Sequence, residues 1–349
     1  MTRSSSIAIG ALLIIPALTA TFVLVANDAD DPAAAPIQTA QTDFPERTLP
    51  AGIDLAGDLS ADTETLANAL EAGEASVDLA YGAYQRFFYR DAFELALPLA
   101  EEGNTASQTL IGIILSEGLG IAQNLSEAAA WFEIAANSGD ANAQLQLGLA
   151  YLDGAGVNID PARAADYFEM AAAQGLGDAM YNIGILHLEE NGVRDQDFAV
   201  AADYLSKAAE QRIPEAQYML AQLYTVGEGV ILSQQIANRW LRSAAVGGLV
   251  IAQIEYGIRL FQGIGGGANE DEAAKWFRRS ALTGNPVGQV RYGQLLAVGA
   301  GVAQDSIAAG KNYLLARAAG LEDPWLADFF DTLTEEEQQA ALEAAAAEI

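Results

Sequence analysis

One position returns along this chain at Gly112, Gly148, Gly184, Ala221, Gly257 and Gly293, at intervals of 36, 36, 37, 36 and 36 residues. A period of that length marks one supersecondary unit too small to bury both its faces, so the units must stack on one another. Six residues beyond each position comes a glycine pair: Gly118/Gly120, Gly154/Gly156, Gly227/Gly229, Gly263/Gly265 and Gly299/Gly301, with only Gly192 kept in the third copy. Aromatics follow at Trp131-Phe132, Tyr167-Phe168, Tyr204, Trp240, Trp276-Phe277 and Tyr313, and an Ala-rich turn closes at Gly139, Gly175, Gly248, Gly284 and Gly320.

Each unit reads as a pair of helices. In the first, Ala-Gln openings such as Ala143-Gln144 lead into a helical period in which the residue before the glycine position is always large: Ile111, Leu147, Ile183, Leu220, Tyr256 and Tyr292. That stripe faces a partner helix. The bare glycine beside it lets the second helix approach closely, at a helix-propensity cost of about 1 kcal/mol. The Gly-x-Gly segment ends the first helix, because glycine reaches positive φ cheaply. Ala pairs such as Ala128-Ala129, Ala164-Ala165 and Ala273-Ala274 permit tight packing of the second helix, and the aromatic that follows is expected to fill the space between neighbouring units.

The pattern A-x-x-L-G-x-x-Y-x-x-G-x-G-V...A-x-x-W-F-x-x-A-A-x-x-G, nearly intact at Ala143–Gly175, resembles the Sel-one-like repeat family of the tetratricopeptide superfamily. The resemblance covers about 76–320 and implies an all-α fold: a right-handed α-solenoid superhelix of antiparallel helix pairs with a concave binding face, used as an adaptor. An exported member is also similar to periplasmic exopolysaccharide regulators that restrain a sensor kinase. A further exported branch, linked with penicillin binding, carries paired cysteines in each repeat. This chain has no cysteine, which disfavours that branch and excludes disulfides and thiolate sites.

The expected organisation is an N-terminal apolar segment over 1–27, an acidic linker over 28–75, a capping helix pair over 76–105, six repeats over 106–320 and capping helices over 321–349. Ile7 to Ala26 is free of charge, with Arg3 before it and Asp28, Asp30 and Asp31 after it. About twenty apolar residues span a bilayer core, and the flanking charges leave the remainder outside. The run is read as an uncleaved anchor in the inner membrane with the repeats in the periplasm; the alternative is a signal peptide, cleaved to leave a soluble or secreted protein. Residues 27–60 read as an extended tether, with a short helix around Asp62–Glu71. The first cap is drawn from the stripe Tyr81, Tyr84, Phe87 and Phe88, and the last from Trp325–Leu333 and a helix opened by Thr334 with Glu337 three residues later.

The formal charge is −30, yet it is unevenly spread: residues 76–238 carry six bases against 22 acids, whereas 239–320 carry nine bases against five acids. An acidic chain repels nucleic-acid phosphates, so nucleic acid is an unsuitable partner. Five bases form the one constellation that points to binding. Arg239 and Lys275 are 36 residues apart, as are Arg242 and Arg278, and Arg279 adjoins the second pair. These five are the candidate partner-binding ridge for an acidic protein segment, an anionic polysaccharide or lipid headgroups.

The other candidates read as structure. His187, the single histidine, sits where other copies place Leu115, Tyr151, Tyr224, Leu260 and Leu296. Gly263–Gly267 lacks the preceding strand and the lysine of a phosphate loop. Asp153 and Asp160 lack the ligand order of a calcium loop, and the carboxylate runs at 101–102, 189–190, 270–272 and 335–337 fall at helix ends. No nucleophile–base set, cofactor or metal site is expected. The expected function is a non-enzymatic protein-binding scaffold; the alternative is a glycan-binding or wall-hydrolase-type protein using acids and aromatics of the concave face.

Overall fold

The computed structural model describes residues 75–189 and 193–348. The expected anchor, nearly all of the linker and the helix around 62–71 lie outside the described residues. Sixteen α-helices and no strand occur among the described residues. They are α1 (Val77–Gln85), α2 (Tyr89–Glu101), α3 (Thr105–Glu117), α4 (Leu125–Asn137), α5 (Ala141–Asp153), α6 (Pro161–Ala173), α7 (Gly177–Leu188), α8 (Phe198–Glu210), α9 (Pro214–Val226), α10 (Gln234–Val246), α11 (Val250–Gln262), α12 (Glu270–Leu282), α13 (Pro286–Val298), α14 (Ser306–Ala318), α15 (Pro324–Thr332) and α16 (Glu335–Ala346). The chain divides into two compact units, with α1–α7 in the first and α8–α16 in the second. Within each, consecutive helices pack as antiparallel pairs and successive pairs stack, the arrangement of an all-α solenoid.

The ends of the helices are written locally. All six second helices of the repeats begin at a side-chain cap: Asn124, Asp160, Asp197, Ser233, Asn269 and Asp305 each accept a bond from a first-turn backbone N–H. Such caps satisfy donors that the helix cannot pair itself, each worth about 1 kcal/mol. The first helices stop as the glycine pairs suggest. Gly154 closes α5 in the left-handed region at φ 71°, donating its N–H to the Ala150 carbonyl.

Packing gives the recurring glycine a specific partner. A Cβ on Gly112, Gly148 or Gly257 would stand 2.5, 2.6 or 2.7 Å from the ring of Phe132, Phe168 or Phe277, each on the second helix of the same repeat. Where alanine replaces the glycine, at Ala221, the facing core residue is Leu241. The second member of each Trp-Phe or Tyr-Phe pair thus fills its own repeat rather than the gap between repeats, because its ring takes the space that the missing Cβ of the glycine leaves. The first member lies nearer the surface: Tyr151 and Tyr167 stack within one repeat, and Trp240 and Trp276 edge a cluster shared by repeats four and five.

Two further devices join neighbouring helix pairs. Gln108, Gln144, Gln217 and Gln253 are buried, and their amides donate to the carbonyls of Ala100, Ala136, Ala209 and Ala245 at the end of the preceding helix. The second glycine of each pair presses on the start of the previous repeat's second helix. A Cβ at Gly156, Gly229 or Gly301 would lie 2.0, 1.9 or 2.1 Å from the carbonyl oxygen of Leu125, Phe198 or Glu270.

Helices flank both ends of the six repeats. Tyr81 on α1 reaches the Ala106 carbonyl at 3.3 Å, but Phe87 leaves the aromatic stripe. It sits in the turn between α1 and α2 at φ 66° and is 77% exposed, because the chain reverses there before the helical period can carry its ring inward. At the other end the Thr334–Glu337 capping box forms, and Phe330 packs beside Tyr313 with the rings tilted by 42°.

Candidate partner-binding ridge

The five bases singled out from the sequence all lie in the second unit. Arg239 and Arg242 are on α10; Lys275, Arg278 and Arg279 are on α12; all five are exposed. Their placement follows from the repeat: Ala237 in α10 and Ala273 and Phe277 in α12 face the core, which turns the residues at 239, 242, 275 and 278 outward. Among the described residues none of the five takes part in an ion pair within 4.0 Å. This is unusual company for a cation in a chain of net charge −30.

Tyr256 on α11 ties the two sets together. Its ring meets Trp276 edge-on at 5.7 Å, and its phenol is raised chiefly by burial and by Glu272 and lowered by Arg242. The Arg279 guanidinium lies 5.7 Å from the Trp276 ring centre, a cation–π arrangement that holds the charge in place while leaving its donors free. An open hollow of about 430 Å³ is bordered by Asn269, Asp271, Glu272, Lys275, Trp276 and Arg279. A second, of about 310 Å³, lies on the side of α12 that faces the loop after α13. The acids of the first turn are accounted for by the helix itself: Glu272 donates its backbone N–H to the Asn269 cap, and carboxylates favour a helix N-terminus.

The remaining candidates sit in structural roles. His187 is half-buried on α7, and its Nδ1 lies 3.0 Å from the Asp195 carbonyl oxygen, so it fastens the following loop. Asp153 is the last residue of α5 and Asp160 caps α6. Gly265 is pressed against the start of α10, where Asn238 donates to the Ile264 carbonyl. Among the described residues, no group of three or more acid, His or Cys side chains could hold a metal ion, and no helix is long and apolar enough to cross a membrane.

Sequence reasoning missed a buried polar lock beneath the ridge. Arg259 on α11 is 2% exposed and donates to Asn238 and Gln234 on α10 and, at 3.5 Å, to Thr225 at the end of α9. Burial lowers its pKa, opposed by nearby Glu255. Burial also raises the Glu255 carboxyl, which accepts a bond from Gln222 at 2.8 Å. The signal was present: the register of Arg259 is otherwise Ile114, Ala150, Leu186, Leu223 and Leu295, so a lone arginine in an apolar column announces buried partners.

The geometry defines a class: an all-α solenoid of stacked helix-pair repeats, with the two hollows beside α12 open to solvent. The Sel1 repeat model matches residues 105–140, 141–176, 177–212, 214–248, 250–285 and 286–321, well over half of the chain. The chain belongs to the Sel1 repeat family, within the tetratricopeptide-like superfamily.

Solved structures agree. A protective antigen of uropathogenic Escherichia coli displaying an SLR fold is 26% identical, with a TM-score of 0.68 over 82% of this chain and 64% of that one. This chain therefore spans just under two thirds of the antigen's length. A Sel1 repeat protein from Oxalobacter formigenes is 28% identical, with a TM-score of 0.64 over 70% of this chain and 100% of that one. The comparison with curated proteins finds no match. The fold of this family is a scaffold for protein–protein interaction.

Proposed function

We propose that this chain is a non-enzymatic adaptor that binds a protein partner through the ridge of Arg239, Arg242, Lys275, Arg278 and Arg279. The observation that carries this reading is that these cations are exposed in register on a repeat scaffold, without an ion-pair partner among the described residues. Charge displayed in that way steers a complementary partner and sets its orientation. The scaffold acts on the periplasmic side of the inner membrane, tethered through residues 7–26, where it regulates a signalling receptor or an envelope or exopolysaccharide complex. The charge pattern of the first 31 residues supports that placement.

In-cell crosslinking followed by capture tests the reading, comparing the native chain with R239E/R242E/K275E/R278E/R279E. The native chain is expected to retain a reproducible protein partner that the charge-reversed chain loses. An identical set of captured proteins, or none from the native chain, would count against it. Sequencing the mature N-terminus tests the tether: a start at Met1 or Thr2 supports the anchor, and a start near residue 27 assigns a cleaved leader.

A further inference from the structure

Resting on the reading of the chain as a binding scaffold, the geometry points to a carboxylate-binding site between α12 and the loop after α13, built to receive an Asp or Glu side chain of a protein partner. The repeat supplies its own template in the first unit. On α6, Asp166 and Glu169 face outward, and Arg194, from the loop after α7, bridges them: Nη2 lies 2.9 Å from Asp166 Oδ1 and Nε 2.7 Å from Glu169 Oε1. A third donor, Nη1, meets the Val193 carbonyl at 3.1 Å. The spot formed by one turn of a second helix and the loop of the next repeat therefore holds a charged fork across two opposite charges.

The same spot three repeats later has its two acids replaced by bases and its bridging base lost. Positions 166 and 169 correspond to Lys275 and Arg278, Val193 to Val302, and Arg194 to Ala303. The carboxylates have become cations, and the bridging side chain has been cut back to a methyl. What remains is the hollow of about 310 Å³, bordered by Asp271, Lys275, Arg278, Tyr292 and Val302. Elsewhere this register is discharged within the chain: on α8, Asp203 pairs with Lys207 at 2.7 Å. On α10 the register is also basic, and Gly267 stands opposite it with open space where a side chain would be.

The lining selects a protein carboxylate over other anions. Ala274, Val302 and the ring of Tyr292 offer apolar contact for the methylenes of Glu, and Ala274 and Val302 give nothing to the hydroxyls that surround a sugar carboxylate. Asp271 tolerates a single negative charge more readily than the higher charge of a phosphate, since the repulsion grows with ligand charge.

The full-length chain in mild detergent is titrated against a fluorescein-labelled peptide of alternating Glu and Ala, with its Gln counterpart, polygalacturonate and phosphatidylglycerol vesicles as parallel arms. The Glu peptide is expected to bind, the Gln peptide not to, and K275E/R278E to weaken Glu-peptide binding by about ten-fold or more. K275D/R278E/A303R, which rebuilds the α6 arrangement, is expected to keep the native melting temperature without recovering binding. Failure of the Glu peptide to bind, binding that ignores K275E/R278E, or tighter Lys275- and Arg278-dependent binding of polygalacturonate or vesicles would each overturn the assignment. If crosslinking still captures a ridge-dependent partner, the scaffold reading stands and only this site falls.

Discussion

Gly148 and Phe168 show how far a single side chain can govern this architecture. The ring occupies the volume where a Cβ on Gly148 would lie, 2.6 Å from its nearest carbon, and Phe168 is fully buried. Gly148→Ala should therefore destabilise by about 1–3 kcal/mol through overpacking, less the gain in helix propensity of about 1 kcal/mol. Adding Phe168→Leu should recover part of the loss, since the chain itself pairs Ala221 with Leu241. Urea unfolding of the two single variants and the double variant reads the coupling; strict additivity would refute it. The glycine column was legible because it repeats. Its ring partner was not, since periodicity reports that a side chain is buried and not which surface it fills. Arg259 was overlooked for the opposite reason: it occurs once, and only contacts with Asn238, Gln234 and Thr225 show what it holds.

At the scale of helices and loops, the two glycines of each pair divide the labour. Gly154 ends α5, and a Cβ there would meet the Ile159 side chain at 2.8 Å, which can turn aside. Gly156 sets the spacing between repeats, because a Cβ there would meet the Leu125 carbonyl oxygen at 2.0 Å, and backbone cannot turn aside. Both adopt positive φ, so a left-handed penalty of about 1–2 kcal/mol applies to either alanine variant. Gly156→Ala should exceed it, reaching about 3 kcal/mol or more. It should also raise hydrogen exchange in the first turns of α4, whereas Gly154→Ala leaves α4 protected. Equal thermal shifts and equal exchange would contradict this division. The buried glutamines belong to the same scale. Their positions were visible as Ala-Gln openings, but their bonds to the preceding helix depend on two elements meeting.

For the molecule as a whole, charge is the dominant asymmetry. A net −30 repels itself in the compact state, and the few ion pairs among the described residues are largely exposed and contribute little. Raising NaCl from about 10 mM to 150 mM shortens the screening length from about 30 Å to 8 Å. The melting temperature should rise over that range, while Glu-peptide binding at Lys275 and Arg278 weakens. A melting temperature that falls with salt would mean that attraction rather than repulsion dominates the folded charge pattern.

The period, the helix ends and the outward positions of the basic ridge could be read in one dimension, because each depends on spacing or on residues within a turn of each other. The partner of each ring, the backbone that each second glycine touches and the hollow beside Lys275 and Arg278 are decided by the tertiary structure. These arise where residues from different helices or repeats come within a few ångströms, and spacing along the chain does not encode that distance.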